Sequence, residues 1–168
     1  TSASRRIDEQ ASVYIARVEQ LENKMVVGNK AEKAGAAFEL FGEDGVYEKL
    51  VSLGYLTKTE GVIKSQKSKE NILKNTIVYD FQNKGTLEEK KAYIDALIES
   101  PPESLGVLGT RVIVTKLRAD VTRQENIIKR QALDLKANVK ELKTILLTGN
   151  VSQATIDAAK AKAKTLGI

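Results

Sequence analysis

Val107, Val114, Val121, Ile128, Leu135 and Leu142 recur at intervals of seven, and no other feature of the chain limits its fold so tightly. An aliphatic repeat of that period keeps one seam facing a neighbour along a gently supercoiled helix. Leu117, Ala132, Val139 and Leu146 fall three or four residues from members of the series. The spacing predicts one very long helix over about 101–147. Ser100-Pro101-Pro102-Glu103 supplies a start, with Ser100 as N-cap, Pro101 in the first turn and Glu103 completing a capping box. Gly149-Asn150 supplies a stop. Gln124 and Glu125 insert a polar layer midway.

A helix with so narrow a seam must bury it, because ordering the backbone costs about 1–2 kcal/mol per residue and the compensating gain comes from covered aliphatic surface. The rest of the chain offers partners of helical period. Ile7, Ala11, Tyr14, Ile15, Val18, Leu21 and Met25 lie on one face. Gly28-Asn29 either kinks that helix or closes it, with Asn29 and Glu32 capping the next. Residues 30–41 present Ala31, Ala34, Phe38 and Phe41. Asp44 is placed to cap a short helix from Val46 to Leu53, which Gly54 ends.

Residues 57–68 are polar, rich in Lys and contain Gly61, and are expected as a flexible loop. Ser68 then caps a helix over 69–84 that buries Ile72, Leu73, Ile77 and Phe81. Ile77-Val78-Tyr79 has strand character, but an orphan strand has nothing to pair with. Thr86 and Glu89 open a helix over 87–99 whose apolar side carries Leu87, Tyr93, Ile94, Leu97 and Ile98. Ser152 caps a last one bearing Ile156, Ala159, Ala163 and Leu166, with Gly167 at its end.

The expected fold is therefore all-α: an elongated up-and-down bundle of four to six helices in a single domain, 1–168, with the first helix and the long helix as its spine. The alternative is that the seam pairs with a second copy of itself. On either reading, Leu135→Asp or Val139→Asp unfolds or dissociates the protein. Residues 1–5 are polar and basic, read either as the remnant of a processed targeting peptide or as a frayed terminus, and the frayed terminus is the expectation. The compartment is not legible.

The 168 residues include no Cys, no His and no Trp. That removes disulfides, thiolate chemistry, Cys- or His-based metal sites and Ser–His–Asp triads. Phosphate-cradling Gly-rich motifs and Asp-rich calcium loops are missing as well. No run of 18 apolar residues exists to span a membrane. The expectation is a protein that is not an enzyme and uses no cofactor. Asp8/Glu9 and Glu88/Glu89 suit the first turns of helices. Tyr47, Tyr55, Tyr79 and Tyr93 suit half-buried packing.

The charge is uneven. Residues 110–168 carry 12 Lys/Arg against 5 Asp/Glu, while residues 1–109 carry 15 against 17, so the excess of +5 lies entirely in the C-terminal part. Arg118, Arg123, Lys129, Arg130, Lys136, Lys140 and Lys143 are the candidate partner-binding residues. They serve either as a solvated face balanced by the acidic half or as a stripe that docks on an acidic protein surface, nucleic acid or anionic lipid. No aromatic residue follows Tyr93, so base stacking has no platform there.

The leading functional expectation is a non-catalytic structural or docking subunit of a larger assembly, binding other protein subunits. An electrostatic binder of nucleic acid or anionic membrane surfaces is the alternative. A Lys-rich chain without Cys or His, bundle-forming and ending Leu166-Gly167-Ile168, resembles the small basic extrinsic bundles that shield photosystem II on its lumenal side. It resembles virion and phage assembly proteins equally. Either resemblance implies a subunit role and transfers no residue roles.

Overall fold

A computed structural model describes residues 2–147 and 153–165, which are helical apart from short turns, with no strand among the described residues. In order, the helices are α1 (Ser2–Val27), α2 (Lys30–Phe41), α3 (Val46–Ser52), α4 (Lys58–Gln82), α5 (Leu87–Glu99), α6 (Gly106–Leu147) and α7 (Gln153–Thr165). The all-α, bundle-like fold with one long helix is as the periodicity implies. Only α3, at seven residues, is shorter than twelve among the described helices. The chain divides into two compact units, Thr1–Arg118 and Ala119–Ile168.

In the first unit, α1 begins at Ser2, so residues 2–5 are helical rather than frayed. Gly28-Asn29 breaks the chain instead of kinking it. The Gly28 N–H closes on the Lys24 carbonyl at 2.9 Å, and the Asn29 side chain accepts from the Glu32 N–H at 2.8 Å. This two-residue turn folds α2 back along α1, and Arg17 and Glu39, about equally far from it, meet in a forked ion pair at 3.0 Å.

The core forms where α1 meets α2, α3 and α4. Ala11, Leu21, Ala36, Leu40, Val46, Leu50, Leu56 and Ile72 close on one another, edged by Tyr14, Val18, Met25, Phe41, Tyr47 and Val51. The α1 stripe is as read, except that Ile7 and Ile15 face solvent. On α2 the expected face is wrong. Ala36 and Leu40 are buried, while Ala31, Ala34 and Phe38 are exposed. Ala36 and Leu40 join the core shared with Ala11 and Leu21 of α1, whereas Phe38 lines an open cleft beside Val13 and Arg17.

The expected loop at 57–68 is the first half of α4. Thr57 is its N-cap, accepting from the Glu60 N–H at 3.1 Å, a Thr-x-x-Glu start of the kind that opens α5. Gly61 is not a breaker here. A Cβ at this position would sit 2.6 Å from the Val51 Cγ2 atom, so the missing side chain lets α4 approach α3 closely. Ser68 is correspondingly not a cap but a buried mid-helix residue. With 25 residues, α4 nearly matches the 26 of α1, and it takes the packing role beside α1 that the sequence reading gave to the long helix.

Two other starts differ. Asp44 takes a left-handed conformation (φ 56°), and Gly45 is the N-cap of α3. The Asp44 N–H is held by the Glu48 carboxylate at 3.0 Å. The long helix begins at Gly106, not 101. Pro101 precedes Pro102 and is thereby disfavoured in helical conformation, so Ser100 ends α5 through the Ala96 carbonyl. Leu105 and Gly106 then both donate to the Pro102 carbonyl. The expected capping box at 100–103 does not form.

Further on, Phe81, Ile77 and Ile94 are buried, with Tyr93 tilted against Phe81. On the part of α6 that belongs to this unit, Ile113, Val114 and Leu117 are buried, whereas Val107, Leu108 and Val112 are exposed.

In the second unit Val121 is buried, but Ile128 is 52% and Leu135 38% exposed. The expectation that the whole seven-spaced ridge is covered therefore holds only for Val114 and Val121, with Leu142 half-buried. Gln124, in the expected polar layer, donates to Asp120 at 3.0 Å. In α7, Ile156 and Ala163 are half-buried. The expected stop at Gly149-Asn150, the cap Ser152, and Leu166 and Gly167 lie outside the described residues.

These burials revise what substitutions do. Leu40→Ala is expected to lower the unfolding free energy by about 2–5 kcal/mol. Leu135→Asp, at an exposed position, is expected to leave the unfolding of the first unit within about 0.5 kcal/mol. Urea denaturation followed by far-UV circular dichroism checks both.

Candidate functional site

The features that set this chain apart from a plain bundle lie on the C-terminal part of α6. From Ile128 onward one row of apolar residues steps Ile128, Ala132, Leu135, Val139, Leu142, Leu146, with Leu133, Ala137, Ile145 and Leu147 off the row. Alternate steps of four and three are the spacing of a two-helix seam. Ile128, Ala132, Leu135 and Leu146 are exposed, and Val139 and Leu142 half-buried. Helix formation itself explains why the row stays straight, since Gly and Pro are absent from 110–147.

Of the seven sequence-predicted residues, four share one edge of this seam. Lys129, Lys136 and Lys143 recur every seven residues, and Lys140 lies four and three residues from the latter two, so all four project from neighbouring positions. All are exposed, and none forms an ion pair among the described residues. Arg123 and Arg130 are also seven apart but one position further round the helix, outside this edge. Arg123 is engaged with Asp120 at 3.3 Å. Arg118 belongs to the other unit, where it lines a small cleft with Ile98, Pro101, Val107, Thr110 and Val114. The single basic stripe read from the sequence is thus a lysine edge of four residues plus three arginines placed elsewhere.

The opposite edge of the seam carries the amides Gln124, Gln131 and Asn138. Beyond it lie Asp134 and Glu141, and Glu141 is bound by Lys162 of α7 at 3.1 Å. Charge is therefore segregated across the seam: on one side ammonium groups without an ion pair among the described residues, on the other amides and then carboxylates.

A second polar cluster escaped the sequence reading. Glu22 of α1 accepts a hydrogen bond from the buried Ser68 hydroxyl of α4 at 2.5 Å. Tyr47, Tyr55, Lys64, Lys67 and Asn71 join them around a cleft of about 370 Å³. Burial pushes the Tyr47 hydroxyl above its ordinary value, reinforced by the Glu22 charge and opposed by a hydrogen bond with Ser68. Tyr93 is raised likewise, by burial and then by Asp80. Among the described residues no buried side-chain polar atom lacks a partner, so the buried Ser68 hydroxyl is satisfied within the fold. The helical phase of Ser68 with Ile72 was the available signal; treating 57–68 as a loop concealed it.

No helix among the described residues is long and apolar enough to cross a membrane. Comparisons with protein-family models, curated proteins and solved structures found no match to this chain.

The tyrosines give a testable pH dependence. Because the folded state holds both hydroxyls above the unfolded value of 10.0, their contribution to stability is complete below that value. It is lost as pH rises through the folded pKa. Unfolding free energy is expected to fall above pH 10, and less steeply in a Tyr47→Phe/Tyr93→Phe variant, in denaturant titrations between pH 8 and 11.

Proposed function

We propose that this protein is a non-catalytic docking subunit of a larger macromolecular assembly, binding other protein subunits through helical faces and the basic C-terminal part of its long helix. The observation that carries this reading is the exposed Ile128–Leu135 stretch of a regularly spaced aliphatic seam. Water disfavours such a row, and on a stable protein it marks a surface that another molecule covers. The chain's own chemistry agrees: without His or Cys, nucleophilic and metal-assisted catalysis lack their usual groups. Extrinsic shielding bundles and virion assembly proteins are both instances of such a role.

The lysine edge also supports a second reading, an electrostatic binder of nucleic acid or anionic membrane surface. On nucleic acid, binding of that kind tracks phosphate neutralisation, falls steeply with salt and gives the aliphatic seam no use.

Native mass spectrometry of the protein taken from its source at physiological concentration separates the cases. A stoichiometric polypeptide companion is expected. A free monomer without companion overturns the docking reading. Retention on duplex DNA or anionic vesicles that collapses between low and physiological salt favours the electrostatic one.

A further inference from the structure

The docking reading leaves open what kind of partner fits, and the second half of α6 limits the answer. The seam Ile128, Ala132, Leu135, Val139, Leu142, Leu146 has the four-three spacing that accepts the knobs of one further helix. At Ile128, Ala132 and Leu135 it is open. Its edges differ. Lys129, Lys136 and Lys143 stand along one, each a heptad from the next, exposed and without a carboxylate among the described residues. Gln124, Gln131 and Asn138 stand along the other.

A second copy of the chain answers this pattern poorly. Antiparallel copies bring the two lysine edges face to face, and like charges there are repulsive. Parallel copies set lysines against amides, which neutralises nothing. The chain's own α7 answers it no better. It carries Lys160, Lys162 and Lys164, and its ion pair to α6 goes to Glu141, on the far side from the lysine edge. Nucleic acid would meet the lysines but leave the aliphatic row in water; an anionic membrane would take both, and vesicle binding that Leu135→Asp abolishes, with equal affinity for the Glu and Lys helices, is the outcome that gives the seam to lipid instead.

We propose that the 128–146 stretch of α6 is the docking site for an acidic amphipathic helix of another protein, packed along the aliphatic seam with its carboxylates against Lys129, Lys136 and Lys143. This rests on the docking reading and specifies its partner by chemistry. The seam supplies the affinity, since covered aliphatic area is the favourable term. The lysine edge supplies selection and orientation, being a rim of exposed charges whose effect falls with ionic strength. Arg130 and Arg123 lie outside the contact.

The test uses the full chain and three-heptad synthetic helices with Leu and Ile in the seam and either Glu or Lys at every flanking position. Binding is read by fluorescence anisotropy. The Glu helix is expected to bind at least about tenfold more tightly than the Lys helix. Leu135→Asp is expected to weaken it about tenfold or more, corresponding to roughly 1.4 kcal/mol. The triple variant Lys129→Glu/Lys136→Glu/Lys143→Glu is expected to reverse the preference, an outcome that misfolding does not produce. Circular dichroism of both variants verifies their helicity.

Equal binding of the two helices, or unchanged binding by Leu135→Asp, overturns the proposal. So does a concentration-dependent dimer in analytical ultracentrifugation that Leu135→Asp abolishes, because the occupant is then a second copy. If the triple variant still captures the companion seen by native mass spectrometry, docking stands and this site for it falls. If neither companion nor helix binds, both fall.

Discussion

Close contact between small and branched aliphatic side chains is what the first unit depends on. With three Phe, five Tyr and no Trp in the whole chain, few large rings are available to fill gaps, and helices must come near one another to exclude water. Two contacts show how this is done. Ala36 and Leu40, rather than Phe38, face α1, and Gly61 removes the side chain that would hold α4 away from α3. Close approach brings dispersion and burial together, and Glu22 meets Ser68 across the neighbouring contact of α1 with α4. A polar pair can be accommodated there because each group satisfies the other.

How much of this the sequence disclosed depends on the residue type that carried each signal. Caps were legible where a side-chain oxygen does the work: Asn29 before α2 and Thr86 before α5 both accept the expected backbone N–H. Thr57-x-x-Glu60 carries the same signature, but the lysines and Gly61 around it suggested a loop, and the start of α4 was missed by eleven residues. Glycine is ambiguous by nature, since a missing Cβ serves a bend and a close helix contact equally well. The Pro pair misled for a different reason. One proline suits a first helical turn, but the second restricts the first, and the helix waits until Gly106.

The seven-residue series is the strongest signal in the sequence, and it specifies a helix without specifying its cover. Period reports that a helix forms and which face is apolar; it does not report what covers that face. Val114 and Val121 are buried, whereas Ile128 and Leu135 are not. The notion of a single basic stripe suffered from the same limit. Net charge over a segment is additive, but a surface is set by angle around the helix, and Lys129 and Arg130, adjacent in sequence, fall on different sides. Only the angular positions separated a lysine edge from arginines that serve elsewhere, such as Arg123 beside Asp120.

That separation bears on what an exposed aliphatic stretch edged by lysines can pair with. An isolated aliphatic ridge attracts any other ridge, its own copies included, and is an aggregation hazard. Lysines at heptad intervals raise the energy of the antiparallel self-pair and give the parallel one no compensating ion pair. An acidic helix escapes that penalty and gains from the same charges. Specificity by this route comes as much from what is repelled as from what is attracted. Lysines without a carboxylate partner among the described residues keep that selectivity, since internal pairing would cancel it.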